Sequence, residues 1–585
     1  MKQFFKFMFA SCLGSFLMIM AVLFIFIASF GAMVGSMVNS NKKTVVVANN
    51  SVLEIVFDKQ IAERSKTEFE SAFGGSSHGL NSLLLSINNA KNDPNIKGIY
   101  LKPGLFFDAG WATIEELRIA IKDFRQSGKF VYAYSDTYSQ KAYYLTTACD
   151  SIFMNPSGNM ELAGIAAEVL FIKELLNKLD VDIELIRPKS NAYKSAGEMY
   201  ILDKMSASNR EQVRAYISSV WEHVSTEIAS DRNTSVERIN EIADNLTAYD
   251  QTIAIKENLL DELIFESEVR KYIAARCEKE SPDQLSFVSA NNYRNSIAPQ
   301  TSKDKIALVY AGGEVKTGKG NLNDVYSDNI TKAIEQAVKN DNVKAIVLRV
   351  NSPGGEVLGS EVMTNAIQKA STQKPLIVSM GDVAASAGYE ISCYATKIVA
   401  HPTTLTGSIG VFGVAPNFGK MLKSKLGISF DTVTTNANSA SLSTMRTLSP
   451  QAKNVLEKNV EDFYVTFCQR VAEGRNLTFA RVDEIARGRV WTGKQAIEIG
   501  LVDEIGGIGR ALEIAASEAE IENYEVLEYP LQKDSFTQLR ELLEESAYMK
   551  IMSKGTNKFY QYYTELEKIS NLQGTQARLP FVLNY

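Results

Sequence analysis

The residues of this 585-residue chain best suited to nucleophilic chemistry lie in Gly381 to Gly388, GDVAASAG. A short apolar run of β type, Pro375 to Val378, precedes the octet, and Tyr389 to Tyr394 reads as a helix after it. Ala384, Ala385, Ala387 and Gly388 leave Ser386 with little steric cover at that strand-to-helix junction. Two readings follow. Either the serine caps the helix through its hydroxyl, or it is an exposed nucleophile that attacks a carbonyl once a base takes its proton.

A serine nucleophile needs a base, and the chain holds only three histidines, His78, His223 and His401. His78 sits in a Gly- and Ser-rich stretch, His223 in a polar helical stretch and His401 beside Pro402; none stands in a triad pattern. The other solution is a lysine kept neutral by burial. Lys194 in Asn191 to Glu198, NAYKSAGE, is the candidate, one lysine among small and aromatic neighbours, although spacing alone does not rank it above the other lysines. Acyl transfer also needs donors for an oxyanion. Asn351 to Gly355, NSPGG, falls at a strand end and reads either as a tight turn or as a loop whose backbone N–H groups swing toward a tetrahedral intermediate. No Gly-x-x-x-x-Gly-Lys follows and the dinucleotide fingerprint is incomplete, which disfavours a phosphate cradle.

The elements that must position these residues alternate strand, helix and strand, and they occur twice. Asn95 to Lys102 (NIKGIYLK) corresponds to Asn342 to Arg349 (NVKAIVLR), 247 residues later. Gly128 to Tyr134 corresponds to Gln373 to Ser379 at 245, and Asn155-Pro156 with Gly164 to His401-Pro402 with Gly410 at 246. Matches that stay in step this long indicate a duplicated unit. Near-continuous apolar strands such as Ile346 to Val350 require a parallel sheet covered on both faces. Two α/β modules are expected, over 46–285 and 305–530, joined by a Ser-, Asn- and Pro-containing linker at 286–304 and followed by a helical extension over 531–585. The copies diverge where chemistry would sit. Gln140 or Lys141 stands at the place of Ser386, and Lys102 to Leu105 lacks the double glycine.

Composition narrows the class. Hydrophobic residues make up 45% of the chain and charged residues 22%, as in a folded protein, and a length of 585 residues requires more than one core. A net charge of −6 with scattered lysines offers no nucleic-acid footprint. Five cysteines, widely spaced, make neither a disulfide framework nor a zinc knuckle. No residue between Lys6 and Asn41 is charged, and Phe7 to Phe30 reaches spanning length, so residues 1–45 read as an uncleaved membrane anchor with one helix within 7–34. Lys2 and Lys6 balance Lys42 and Lys43, so charge does not set its orientation.

Leu348 to Gly355 (LRVNSPGG), Ser379 to Tyr389 (SMGDVAASAGY), Pro402 to Phe412 (PTTLTGSIGVF) and Tyr193 to Glu198 (YKSAGE) together resemble the signal peptide peptidase A family, in its long, membrane-bound form known as protease IV. The resemblance spans nearly the whole chain, anchor and duplicated halves included. It implies an α/β fold of duplicated Clp-protease/crotonase-like modules with an N-terminal transmembrane helix, and a serine–lysine dyad requiring neither cofactor nor metal. It also implies a homotetramer on the bacterial cytoplasmic (inner) membrane, single-pass, with its body on the extracytoplasmic (periplasmic) side.

Carried onto this chain, the nucleophile is Ser386 and the base Lys194, from opposite halves. Gly354, Gly355 and Ala387 would supply oxyanion N–H groups, and Ser408 would orient the lysine. Ala387 stands where many relatives have glycine, and Met199-Tyr200 where Pro-Phe is frequent. The substrates implied are released signal peptides and similar apolar peptides. Because a carboxylate on Lys194 would favour its charged form, Glu198 is expected to point away, toward an arginine at a subunit contact. The rival readings are a regulatory protease of membrane proteins, a crotonase-type acyl-CoA enzyme, which would need an acidic residue in place of the dyad, and a non-catalytic membrane scaffold.

Overall fold

Val343–Ser352 sets the pattern for the whole protein: most of its ten residues are buried, because neighbouring strands flank it and helices cover both faces. The computed structural model describes residues 6, 13–22, 24–25, 46–58, 60–65, 79–105, 107–298, 301–531 and 575–578. In them the chain is an α/β protein built on parallel sheets.

Two sheets repeat one topology. In the first, strands run in the order Glu262–Leu263, Ser151–Met154, Phe130–Ser135, Ile96–Pro103, Ser51–Phe57 and Ser286–Ser289. In the second, Glu504–Ile505, Lys397–Ala400, Leu376–Ala385, Val343–Ser352, Lys305–Gly312 and Glu525–Tyr529 follow the same order. All these pairings are parallel, as crossover connections through helices demand. One difference matters for chemistry. Leu376–Ala385 has 10 residues against 6 in Phe130–Ser135, and its extra end pairs with Leu405–Gly407, bringing Ala385 opposite Gly407.

Residues 286–296, expected as part of a linker, are instead an edge strand and the helix Ala290–Ser296. The strand pairs with Ser51–Phe57, and Val288, Ala290 and Tyr293 are buried in the first core, so burial overrides the polar composition. Among the described residues no helix is long and apolar enough to cross a membrane. The span expected within 7–34 falls mostly outside the described residues, of which 13–22 and 24–25 are helical. Of the helical extension expected over 531–585, only residue 531 and Thr575–Arg578, which is a strand, lie within the described residues.

A third sheet joins the halves. Asp182–Ile186, from the first half of the sequence, pairs antiparallel with Phe412–Asn417 of the second, Ile186 opposite Gly413. Leu176, Val181, Ala196 and Tyr200 pack with Phe412 and Val414 beneath it, the buried Leu, Val and Phe side chains each contributing about 1.5–3 kcal/mol. A polar junction ties the halves elsewhere. Glu116, on the helix Trp111–Arg125, lies 2.7 Å from Arg349, which also bonds Glu63 and Ser379. Thr113 on the same helix donates its N–H and hydroxyl to Asp382 at 2.9 and 2.7 Å. Burial pushes the Glu116 carboxyl up, but the guanidinium of Arg349 and the ring of His401 more than offset it and hold the group at about 2.

Candidate active site

Ser386 follows the last residue of Leu376–Ala385 and precedes the short helix Ala387–Glu390. The turn is abrupt: Ser386 has φ 57° and ψ −119°, a region that costs a residue with a Cβ energy and that clusters at functional sites. Its main chain is fully engaged, the N–H donating to Gly407 O at 2.8 Å and the carbonyl accepting from Tyr389 and Glu390 at 2.9 Å. Its side chain makes no capping bond. The main chain therefore does the capping, and the hydroxyl is left for other work.

Lys194 Nζ lies 2.7 Å from Ser386 Oγ. The lysine sits on the loop between Asp182–Ile186 and the helix Glu198–Ile201, so the strand that crosses to the other half delivers it. Tyr193 donates its N–H to Arg487 O at 3.0 Å, Arg187 donates to Lys194 O at 3.2 Å, and Gln212 bonds Tyr193 O and Ser195 Oγ. Gly488 closes the far side. Lys194 is 1% exposed, and burial alone pushes its amine well below the ordinary lysine range.

The neighbours of Nζ define its proton inventory. Ser408 O, at 2.9 Å, can only accept, and Ser408 Oγ lies at 3.0 Å. A neutral amine has two N–H groups and one lone pair. With one N–H on Ser408 O and the other on Ser408 Oγ, the lone pair faces the Ser386 hydroxyl. Ser408, with φ 50°, holds this position because Leu405–Gly407 pairs with the strand bearing Ser386.

The double-glycine loop lies alongside. Ser352 pairs with Ala384, and a Cβ at Gly388 would stand 2.8 Å from Ser352 O, so the two loops touch. Gly354 has φ 101°, and a Cβ at Gly355 would meet Val315 O at 2.1 Å, so these sites accept only glycine without displacement. Gly354 N–H donates to Ser352 Oγ at 3.2 Å, while Gly355 belongs to the strand Gly354–Glu356. Ala387, fully buried, places its N–H in the first turn of its helix, where helical backbone lacks an internal acceptor.

The other sequence candidates lie elsewhere. His401 Nε2 is 3.5 Å from Glu116 and His223 Nε2 is 3.6 Å from Glu115; His78 is outside the described residues. Glu198 points away from Lys194, accepting from Ser206 N–H and Asn209 Nδ2 at 3.2 and 3.1 Å with Arg187 at 3.8 Å, and that arginine belongs to its own chain. In the first half Gln140 heads the helix Gln140–Thr146 and its side chain knots the loop at Ala163 and Gly164. Lys141 pairs with Asp108 at 2.8 Å. Gly488 and Gln212, which hold the lysine loop, carry no motif that sequence reading could find.

The model for peptidase family S49 matches residues 123–279 and 368–522. Protease 4 of Salmonella typhi is 34% identical over 526 residues, covering 87% of this chain and 84% of the relative. The chloroplastic serine protease SPPA of Arabidopsis thaliana is 30% identical over 486 residues, 81% of this chain and 70% of the relative. Among solved structures, the 1510-N membrane-bound stomatin-specific protease with a substrate peptide aligns at 15% identity with a TM-score of 0.27, covering 42% of this chain and 100% of that one.

Proposed function

The chain belongs to peptidase family S49 and is a serine peptidase, and from that premise we propose that it is an endopeptidase working through a Ser386–Lys194 dyad on apolar, signal-peptide-like segments. The observation that carries the reading is the 2.7 Å approach of Nζ to Oγ in a pocket where no carboxylate contacts the amine.

The chemistry follows from that geometry. Ser386 Oγ attacks the peptide carbonyl as its proton passes to the lone pair of Lys194. The oxyanion forms beside the N–H of Ala387 and the Gly354–Gly355 loop; for Gly354 N–H to join, it must leave Ser352 Oγ. Lys194 then protonates the leaving amine, and water hydrolyses the ester by the reverse sequence. Ser408 keeps the lone pair aimed throughout. In the first half Gln140 and its knotted loop replace the nucleophile with structure, so each chain holds one dyad assembled from both halves.

For the whole protein we read a single-pass anchor in residues 1–45, a body on the extracytoplasmic face of the cytoplasmic membrane, and a homotetramer. The uncharged run from Phe7 to Phe30 supports the anchor, and the orientation and the homotetramer are what the resemblance to the signal peptide peptidase A family implies. The test is hydrolysis of an apolar signal-peptide sequence by detergent-purified protein and its Ser386→Ala variant. Turnover by the parent alone is expected; equal turnover by both would reject the dyad. Protease added to spheroplasts should digest the body, and full protection would reject the orientation.

A further inference from the structure

The strand that carries Ser386 bulges just before the serine. Val350 pairs with Met380 and Ser352 with Ala384, so Gly381, Asp382 and Val383 together stand opposite the single residue Asn351. Extra residues in a bulge lose their regular ladder bonds. Here each is taken up from elsewhere: Thr404 Oγ1 donates to Gly381 O at 2.8 Å, the Asp382 carboxylate accepts from Thr113 of the first half, and Val383 N–H donates to Asn351 Oδ1 at 3.1 Å.

The Asn351 side chain thus spans the bulge, and its other end is held as well. Asn351 Nδ2 donates to Glu63 Oε1 at 2.7 Å, and Arg349 Nε donates to Glu63 Oε2 at 2.8 Å. Because Val383 offers a donor and Glu63 an acceptor, the amide has one orientation. Gly381 leaves room for both side chains: a Cβ there would stand 2.7 Å from Glu63 Oε1 and 2.9 Å from Asn351 Cγ. Gly354 is the third residue after Asn351, and Ser386 is the third after Val383. One side chain therefore sets the spacing between the double-glycine loop and the nucleophile. At the matching position the first half has Gly104, whose N–H bonds Phe57 O and which has no side chain to clamp with, and that half has Gln140 or Lys141 in place of the serine.

Resting on the Ser386–Lys194 reading, we propose that Asn351 and Glu63 are positioning residues, which hold the Gly354–Gly355 loop at the distance from Ser386 where its backbone N–H groups meet the oxyanion. Neither side chain touches the reacting atoms. Donors stabilise the developing charge only where it will form, and a displacement of about 1 Å is enough to cost about 100-fold in rate. Glu63 comes from the first half, just beyond the strand Ser51–Phe57, so that half frames the oxyanion loop as well as delivering the base.

The experiment measures kcat and KM from about pH 6 to 11 on an apolar signal-peptide sequence, with the full chain in detergent and folding followed at each point. Asn351→Ala is expected to lower kcat about 10–100-fold at every pH, with KM and the alkaline limb set by Lys194 where the parent has them. Loosened packing would instead admit water to the lysine and move that limb. Glu63→Ala should lower kcat likewise, and the double variant should be no slower than the slower single one, because the two residues act as a unit. The titratable groups facing the pair are Arg349, Asp382, Glu116 and Tyr310. In that setting Asn351→Asp keeps both contacts only while it shares a proton with Glu63, so its kcat should return toward the parent's at the acidic end of the profile. If Asn351→Ala does not fold, Asn351→Asp, of the same shape, carries the test alone. Parental kcat in Asn351→Ala, a displaced alkaline limb, losses that multiply in the double variant, or no recovery in Asn351→Asp overturns the inference and leaves the dyad standing. A folded parent that does not turn the peptide over removes the dyad reading and this inference with it.

Discussion

Gly488 lies so close to Lys194 that a Cβ built on it would stand 2.5 Å from both the Cβ and the backbone nitrogen of the lysine. With φ 79° the glycine also occupies a region that L residues rarely adopt. The lysine is therefore packed from behind, along its backbone and Cβ, by a residue with no side chain of its own.

The first prediction tests that contact. Gly488→Ala should cost about 1–3 kcal/mol of stability from overpacking and reduce kcat by up to about 100-fold, because a shift of about 1 Å at the base is enough. Thermal unfolding and steady-state kinetics read the two effects separately. A variant with parental kcat would show that Gly488 is not a positioning residue.

Removing either member of the dyad should lower kcat/KM by about 10²–10⁴-fold. Lys194→Met should do so without destabilising the fold, since replacing a buried ionisable group by an apolar one of similar volume is often neutral or stabilising. Melting curves of parent, Ser386→Ala and Lys194→Met, set beside their turnover, check both halves of the statement.

Burial pushes the Lys194 amine well below its ordinary range, so activity should rise with pH through an apparent value below the free-lysine value of about 10.4. The sign for stability follows from the same shift. Between the depressed folded value and about 10.4 the unfolded chain binds the extra proton, so stability rises with pH across that window. Below the folded value the cost of burying the charge is fully present. A kcat/KM profile from about pH 6 to 11, with Lys194→Met as the control, would find no such limb if the amine were ordinary.

Arg349 is fully buried between Glu63 and Glu116. Arg349→Met should destabilise the protein by about 3–5 kcal/mol, because it strands the buried carboxylate of Glu116 and the partly buried one of Glu63. His401→Asn should keep kcat within about tenfold of the parent, far from the loss of a catalytic base, since His401 faces Glu116 and its counterpart Asn155 occupies the matching place. Urea melts and peptide hydrolysis distinguish the two variants.

Local order was the readable part of this molecule. The duplication was visible because Asn95 to Lys102 and Asn342 to Arg349 keep the same apolar spacing, and the strands Ile96–Pro103 and Val343–Ser352 hold equivalent places in their sheets. Ser386 was legible as a strand-end serine among small residues, yet only the fold shows that its side chain caps no helix and meets Lys194 Nζ instead. Residues 286–296 misled, because Ser and Asn composition does not reveal that Val288 and Tyr293 find a core to enter.

What the chain itself determined is the strand-and-turn chemistry around Ser386 and Gly354–Gly355, which depends on neighbours a few positions away. The setting of Lys194 depends on water, not on neighbours in sequence: its amine is buried beside Ser386 because the Asp182–Ile186 strand crosses to the other half, carries the loop 192 residues in sequence from Ser386, and packs it against Ser408 and Gly488. The place of Thr575–Arg578 between Gly354–Glu356 and Phe412–Asn417 was equally unreadable. Desolvation and strand partnership are properties of the assembled fold, because each is set by what packs around a group from distant parts of the chain.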